Sequence, residues 1–341
     1  MVNICQHRGA EICTTPSGNA GAVLRCPYHG WSYRHDGSVL GVPSREAFDA
    51  DTTGRRLPRV SVDVALGFVW VNLDPECDSL EVHLDLIFKM RFGDASNPFR
   101  ENGIEKLGLA RTIDYGTIGA NWKLLWENFS ECYHCPTLHD SLCNAVPQFA
   151  SGYGTVTGPQ GQGARLADSY EGFSITGTRV GTVLPGLSSS DERMFYGALL
   201  WPTGQIVCVS DHATLLCMIP EGPDRTRVIG YWLFQPSDIE DPLFNPDPAV
   251  ELFDKTNRED FDACARMQKN TTSSHWNLSH VYAPFEYRIR SFRQWVEAAM
   301  SAPSITDAYL SAAAQPSGWD DIHHYIGSEQ GLKPAGMGET S

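Results

Sequence analysis

Apolar positions recur near the helical period at Trp122, Leu125, Phe129 and Tyr133, which predicts a helix over residues 121–135. Pro136 is expected to stop it, because proline removes a backbone donor and biases the residue before it away from helical backbone. A longer helix is expected over 248–268, where Phe253, Ala263, Cys264 and Met267 fall within an arc of about 100°. Residues 80–90 read as another. Short apolar runs at 20–25, 31–33, 38–42 and 67–73, with Asp36-Gly37 as a turn, predict a small β domain ending near Pro75. Runs at 108–118, 197–201, 205–209, 213–219 and 227–234 predict a second set of strands. This order fits an α+β chain with a small antiparallel-β domain over 1–76. A second domain over 77–302 wraps a curved antiparallel sheet around a long helix, and 303–341 follows as a polar tail. Residues 151–165, rich in Gly without a clear period, read as a mobile loop that could cover a site.

Composition narrows the classes. The chain has 341 residues, 42% hydrophobic and 20% charged, enough for two domains with real cores. Its net charge of -15 argues against nucleic acid or anionic membranes as partners. No apolar run approaches membrane length, and the opening residues lack a signal-peptide pattern, so a cytoplasmic location is expected. Ten Cys at irregular positions read as reduced thiols and metal ligands rather than a disulfide framework.

The candidate chemistry lies in three places. Glu131 and His134 fall on neighbouring faces of the first predicted helix, and His139 lies past the proline. Five residues of unbroken helix would splay the two imidazoles by about 140°, whereas a bend after His134 can bring His139 to the same point. A non-haem Fe(II) of the two-His, one-carboxylate kind needs an acid as well, and leaves open positions for O2. Asp260 is the candidate because it sits within the apolar arc of the long helix, while Asp254, Lys255, Arg258, Glu259, Asp262 and Arg266 point elsewhere. A buried Asp paired with an Arg or a backbone amide is the alternative. Near the start, Cys5-Gln6-His7 and Cys26-Pro27-Tyr28-His29 form two mixed pairs. Zinc sites usually pair like with like, whereas a Rieske [2Fe–2S] cluster takes two Cys on one iron and two His on the other. A Cys2His2 zinc site is the alternative there. Gly9 and Gly30 follow closely, where bare backbone can aim N–H groups at sulfur.

The segments CQHRG, CPYHGWSY, NWKLLWENFSECYHCPTLH, NREDFDACARMQ and FEYRIRSFRQW, in that order, resemble the oxygenase (alpha) subunits of Rieske non-haem iron oxygenases. The resemblance covers nearly the whole chain to about Trp295. It implies that Cys5, His7, Cys26 and His29 hold the cluster, and that His134, His139 and Asp260 hold the mononuclear iron. Glu131 matches the acidic residue that joins the two centres. Many members have Asp there, and Glu within ECYHCP looks more like the branch that oxidises glycine betaine, stachydrine and carnitine. The resemblance further implies a helix-grip catalytic domain and a homotrimer in which His29 of one chain faces Glu131 of the next. Electrons would come from an NAD(P)H-dependent flavin reductase or a ferredoxin. The expected reaction uses O2 to hydroxylate or N-demethylate a small organic substrate such as a quaternary amine. Aromatic-ring hydroxylation is the alternative, and a truncated electron-transfer or ligand-binding fragment is the rival from another class. Family members carry several dozen residues ahead of the first cluster loop, so an N-terminal truncation is expected, leaving sheet edges unpaired and the cluster less protected.

Other residues have plainer readings. Cys132 and Cys135 flank His134 but lack a parallel βαβ context, and read as packing. His212, between strands, reads as a surface histidine, and His323 and His324 as exposed in the tail. Trp126, Tyr133, Trp201, Trp232 and Trp276 are available to face a cationic substrate, although aromatic residues more often pack cores.

Overall fold

The computed structural model describes all residues except 53, 93–102, 153–162, 190, 277–280, 284–285 and 315–341. The chain divides into two compact units, Met1–Cys77 and Asp78–Ser341.

In the first unit β1 (Leu24–Arg25), β2 (Ser32–Tyr33) and β3 (Val39–Gly41) form an antiparallel sheet. A separate hairpin joins β4 (Ser61–Ala65) to β5 (Phe68–Asn72). Its two turn residues, Leu66 and Gly67, both have positive φ, the backbone twist that a two-residue hairpin turn requires. The core is small, built from Cys5, Ile12, Cys26, Trp31, Tyr33 and Leu57. Both cysteines of the mixed pairs therefore belong to the packed interior.

The second unit runs α1 (Leu80–Phe92), β6 (Gly108–Ile118), α2 (Trp122–Phe129), α3 (Cys135–Leu138), α4 (Asp140–Ala145) and β7 (Ala164–Arg165). It continues through β8 (Met194–Leu200), β9 (Gly204–Cys208), β10 (His212–Gly222), β11 (Arg225–Phe234), α5 (Pro236–Glu240), α6 (Asp247–Gln268), α7 (Tyr287–Ala299) and α8 (Ile305–Ala314). The six strands form one antiparallel sheet in the order β6-β11-β10-β9-β8-β7. Strand β6, which leads into α2, pairs antiparallel with β11, which precedes α5 and α6. Helices α2 and α6, distant in sequence, are in contact.

Helix α6 buries Ala249, Val250, Phe253, Thr256, Asn257, Asp260, Phe261 and Cys264, a stripe at three- and four-residue spacing. The stripe is shifted from the predicted arc: Met267 is exposed and Ala263 only half-buried. Asn257 Nδ2 donates to Tyr115 Oη at 3.2 Å, and the Tyr115 ring meets Phe261 edge-on at 5.0 Å, tying α6 to β6. Among the described residues no helix is long and apolar enough to cross a membrane.

Three expectations are corrected. The segment after residue 302 is not all tail, because α8 packs Ala308 and Tyr309 into the core, and Tyr309 Oη donates to the Trp201 carbonyl at 3.0 Å. His323 and His324 lie outside the described residues. Of residues 151–165, only the ends are described, and Ala164–Arg165 is strand β7 rather than loop. His212 is buried, not on the surface: it faces Phe234 across the β10–β11 ladder and stacks on that ring at 4.9 Å.

The buried His212 fixes a second connection. Its Nδ1 lies 2.7 Å from Asp211 Oδ1, while Asp211 Oδ2 accepts the amides of Val180 and Gly181 at 2.8 and 2.9 Å. A Cβ on Gly181 would come within 2.8 Å of Phe234 and 2.9 Å of Asp238, so only glycine allows this approach. Burial alone would raise the Asp211 carboxyl, but the His212 imidazole and the two amides outweigh it and hold its pKa below the usual carboxylate range. A carboxyl depressed on folding contributes stability above its unfolded pKa and loses it as pH falls through the folded value. We expect Asp211→Ala to lower unfolding stability by about 3–5 kcal/mol at pH 7, as for a broken buried pair. The gap between wild type and variant should narrow as the pH drops below the carboxylate range, measured by denaturant unfolding at several pH values.

Candidate functional site

The site begins where α2 ends. Asn121 caps the helix, its side chain accepting the Lys123 amide at 2.9 Å. The helix stops at Phe129, earlier than its apolar period suggests. The Glu131 carboxylate takes up the amides of Tyr133 and His134 through Oε2 and so competes with the helical ladder. Ser130 Oγ adds a bond back to the Trp126 carbonyl at 2.6 Å. His134 therefore stands in a loop rather than on a helix face. Pro136 does not end a helix; it lies in the first turn of α3, where a missing N–H costs nothing. His139 is the hinge between α3 and α4, with φ −122° and ψ 66°.

Cys132 and Cys135 are joined by a disulfide, which corrects the reading of them as packed thiols; their Cα atoms, 4.9 Å apart, lie within bridging range. The Cys135 sulfur is 3.8 Å from His134 Nε2, but in a disulfide it offers no thiolate to a metal.

Asp260, from the middle of α6, is 2% exposed. Its Oδ1 lies 2.9 Å from His139 Nε2 and 3.3 Å from His134 Nε2, and accepts from Asn128 Nδ2 at 2.8 Å. Its partners are thus two imidazoles and an amide side chain. The two rings stand nearly perpendicular with centroids 5.1 Å apart. Each imidazole also meets a carboxylate on its far edge: Glu131 Oε1 is 2.5 Å from His134 Nδ1, and Glu259 Oε2 is 2.8 Å from His139 Nδ1.

The electrostatics follow from this ring of carboxylates. Burial by itself would lower the His134 pKa, but Asp260 and Glu131 outweigh it and push it up to about 10. His139 is raised in the same way, against burial, by Asp260 and Glu259. The Asp260 carboxyl, which burial would raise, is instead held below its ordinary value by the two imidazoles. Three carboxylates around two imidazoles make a place for positive charge. Two Nε2 atoms and a carboxylate oxygen facing one another are the donor set that suits a non-haem iron with open positions.

In the first unit the two loops are built alike. The Gly9 amide donates to the Cys5 carbonyl at 2.9 Å, and the Gly30 amide to the Cys26 carbonyl at 3.1 Å, with both glycines at positive φ. Cys5 and Cys26 are buried, whereas His7 is half-buried and His29 exposed. The imidazoles converge through the same atom, Nδ1 to Nδ1 at 3.2 Å. Burial would raise the Cys26 thiol, but the amides of Tyr28 and His29, aimed at its sulfur, hold it below the ordinary value. Two buried thiols and two less buried imidazoles, with amides aimed at sulfur, fit a Rieske cluster better than four ligands around one zinc.

The sequence reading passed over Tyr33 and Asn128, and set Glu259 aside as pointing elsewhere. Tyr33 Oη sits 3.2 Å from Cys5 Sγ and accepts the Gln6 amide at 2.9 Å. Asn128 left a trace, being a polar residue one turn ahead of Glu131 on an apolar face. Glu259 left none, since it lies off the buried stripe and was expected to point away. The five aromatic residues differ in surroundings: Trp126, Trp201 and Trp232 are core, while Tyr133 and Trp276 are exposed.

A unit that presents two Cys and two His, joined in one chain to a unit with a His–His–carboxylate cluster, is the arrangement of an oxygenase that carries its own electron-transfer centre. Comparison with known proteins agrees. Residues 102–302 match the family model for the ring hydroxylating alpha subunit (catalytic domain), and residues 1–60 match that for the Rieske [2Fe-2S] domain. The chain belongs to the ring-hydroxylating alpha-subunit family of Rieske non-haem iron oxygenases, whose members use a Rieske cluster, a mononuclear iron and O2. It is similar to the glycine betaine monooxygenase oxygenase subunit of Chromohalobacter salexigens, at 25% identity over 86% of this chain and 70% of the relative. It also resembles the carnitine monooxygenase oxygenase subunit of Acinetobacter pittii, at 31% identity over 42% of this chain and 37% of the relative. Among solved structures, a quaternary ammonium Rieske monooxygenase bound to an inhibitor superposes with a TM-score of 0.53. It is 25% identical, over 80% of this chain and 68% of that one. The chain is thus a terminal oxygenase subunit.

Proposed function

We propose that the chain is the oxygenase of a quaternary-amine monooxygenase, with His134, His139 and Asp260 holding the mononuclear iron and Cys5, His7, Cys26 and His29 the cluster. The observation that carries this reading is the convergence of both imidazole Nε2 atoms on the buried Asp260 carboxylate. When bound, the cluster supplies single electrons and the iron activates O2. The chain's own residues prepare that chemistry. Asn128 holds Asp260 Oδ1 from the α2 side, and α6 keeps the carboxylate out of water. Glu131 holds His134 by Nδ1 and is itself oriented by the amides of Tyr133 and His134.

Both Glu131 oxygens are engaged by its own loop, Oε1 by His134 Nδ1 and Oε2 by the two amides, so the carboxylate is oriented before any neighbour arrives. In a homotrimer supplied by an NAD(P)H-dependent flavin reductase or a ferredoxin, His29 of one subunit would meet this pre-set carboxylate of the next. His29 is exposed, as such a contact needs. The substrate reading rests on the betaine and carnitine relatives. One oxygen atom would enter an N-methyl group and the other would become water, at a cost of two electrons and two protons. The hydroxymethyl C–N bond then breaks to release formaldehyde and the demethylated amine.

Three outcomes are expected. Asp260→Ala should lose the mononuclear iron and keep the cluster's visible absorption, whereas Asp262→Ala, whose exposed carboxylate pairs with Arg266, should keep both. Iron and acid-labile sulfide analysis reads this, and full iron in Asp260→Ala would remove Asp260 from the ligand set. Glu131→Gln should retain iron and a reducible cluster while reoxidising the cluster far more slowly in single-turnover stopped flow. Near-normal reoxidation would take Glu131 off the electron route. Oxygen uptake with a reductase should accompany formaldehyde when glycine betaine or carnitine is offered; uptake with an aromatic acid and no formaldehyde would replace the demethylase reading by ring hydroxylation.

A further inference from the structure

Two consecutive acids of α6, Glu259 and Asp260, grip opposite edges of one imidazole. Successive helical residues point about 100° apart and do not ordinarily share a partner. Here the His139 ring spans that angle: Nε2 lies 2.9 Å from Asp260 Oδ1, and Nδ1 lies 2.8 Å from Glu259 Oε2. The ring is 1% exposed and the Glu259 side chain 27%, so the outer contact stands at the rim of the site and the inner one within it. Because Glu259 faces the edge of the ring away from Asp260, it cannot also reach the place where the Nε2 atoms converge. A carboxylate on Nδ1 accepts the N–H of that atom, which leaves the Nε2 lone pair free for a cation. His134 is held in the same way by Glu131, from a different element.

From this geometry we propose that Glu259 is a positioning residue: it fixes the His139 tautomer and ring plane and so sets the metal affinity of the catalytic site. The inference rests on the ligand assignment above. It also separates the two acids on the imidazoles, since Glu131 lies beside its ligand in one loop while Glu259 must be delivered by the fold from 120 residues away.

The test uses the full chain stripped of its mononuclear metal, with the cluster intact, titrated anaerobically with Co(II). Glu259→Ala should weaken Co(II) binding by about ten- to hundredfold, while Glu259→Gln, whose amide oxygen still accepts from Nδ1–H, should recover most of the affinity. In Co(II)-loaded protein, the shifted and exchangeable imidazole N–H signal of His139 should be present in wild type and Glu259→Gln and lost to solvent exchange in Glu259→Ala. Wild-type Co(II) affinity in Glu259→Ala overturns the proposal, as does equal weakening in the Gln and Ala variants. Asp260→Ala serves as the control. If it too binds Co(II) normally, the ligand assignment has failed; if it alone loses the metal, only the role of Glu259 has.

Discussion

The second unit is organised around a carboxylate that apolar packing should not tolerate. Asp260 lies in the buried stripe of α6, amid Phe253, Phe261 and Cys264, where an unpaired charge would cost several kcal/mol. It is tolerated because α2 and the loop beyond it bring Asn128, His134 and His139 to the same oxygen. Those three donors reach it because α2 packs against α6, which Tyr115 of β6 also holds through Asn257 and Phe261. The packing of α2 on α6, the early end of α2 and the turn at His139 are thus linked to one polar cluster. Moving any of them would leave a buried charge uncompensated.

The first unit divides its donors by burial. The thiols belong to the small hydrophobic core, whereas His7 is half-buried and His29 exposed. Packing thus encloses the sulfur donors and leaves the nitrogen donors nearer the surface. Tyr33, itself in that core, bonds both the Cys5 sulfur and the Gln6 amide and so ties the first loop to the sheet. Each unit therefore uses its core to immobilise polar donors within or beside it.

Periodicity located α1, α2, α6 and most of the longer strands, because burial of one face is written directly into spacing, but it passed over β4, β7 and the helices α3, α4, α5 and α7. It failed where side chains compete with the backbone. The helix expected to reach residue 135 ends at Phe129, since Glu131 takes up the next amides, and no apolar pattern records that. It failed also where burial depends on a partner strand: His212 reads as a polar turn residue until Phe234 is placed opposite it. The helix over Ile305–Ala314 was passed over because its short apolar face is meaningful only against Trp201 and Trp295.

The sequence by itself determined which residues are candidates for the chemistry and in what local spacing: two mixed Cys/His pairs, a Glu and two His around a proline, and an acid on an apolar stripe. Local spacing is a property of the covalent chain, so it survives without coordinates. Only the tertiary structure decided that His139 and Asp260, 121 residues apart, share a hydrogen bond, and that Glu259 rather than solvent meets the far side of that imidazole. It also decided that Cys132 and Cys135 are bonded. Such contacts depend on how strands pair and where a loop turns, and no single stretch of the chain contains that information.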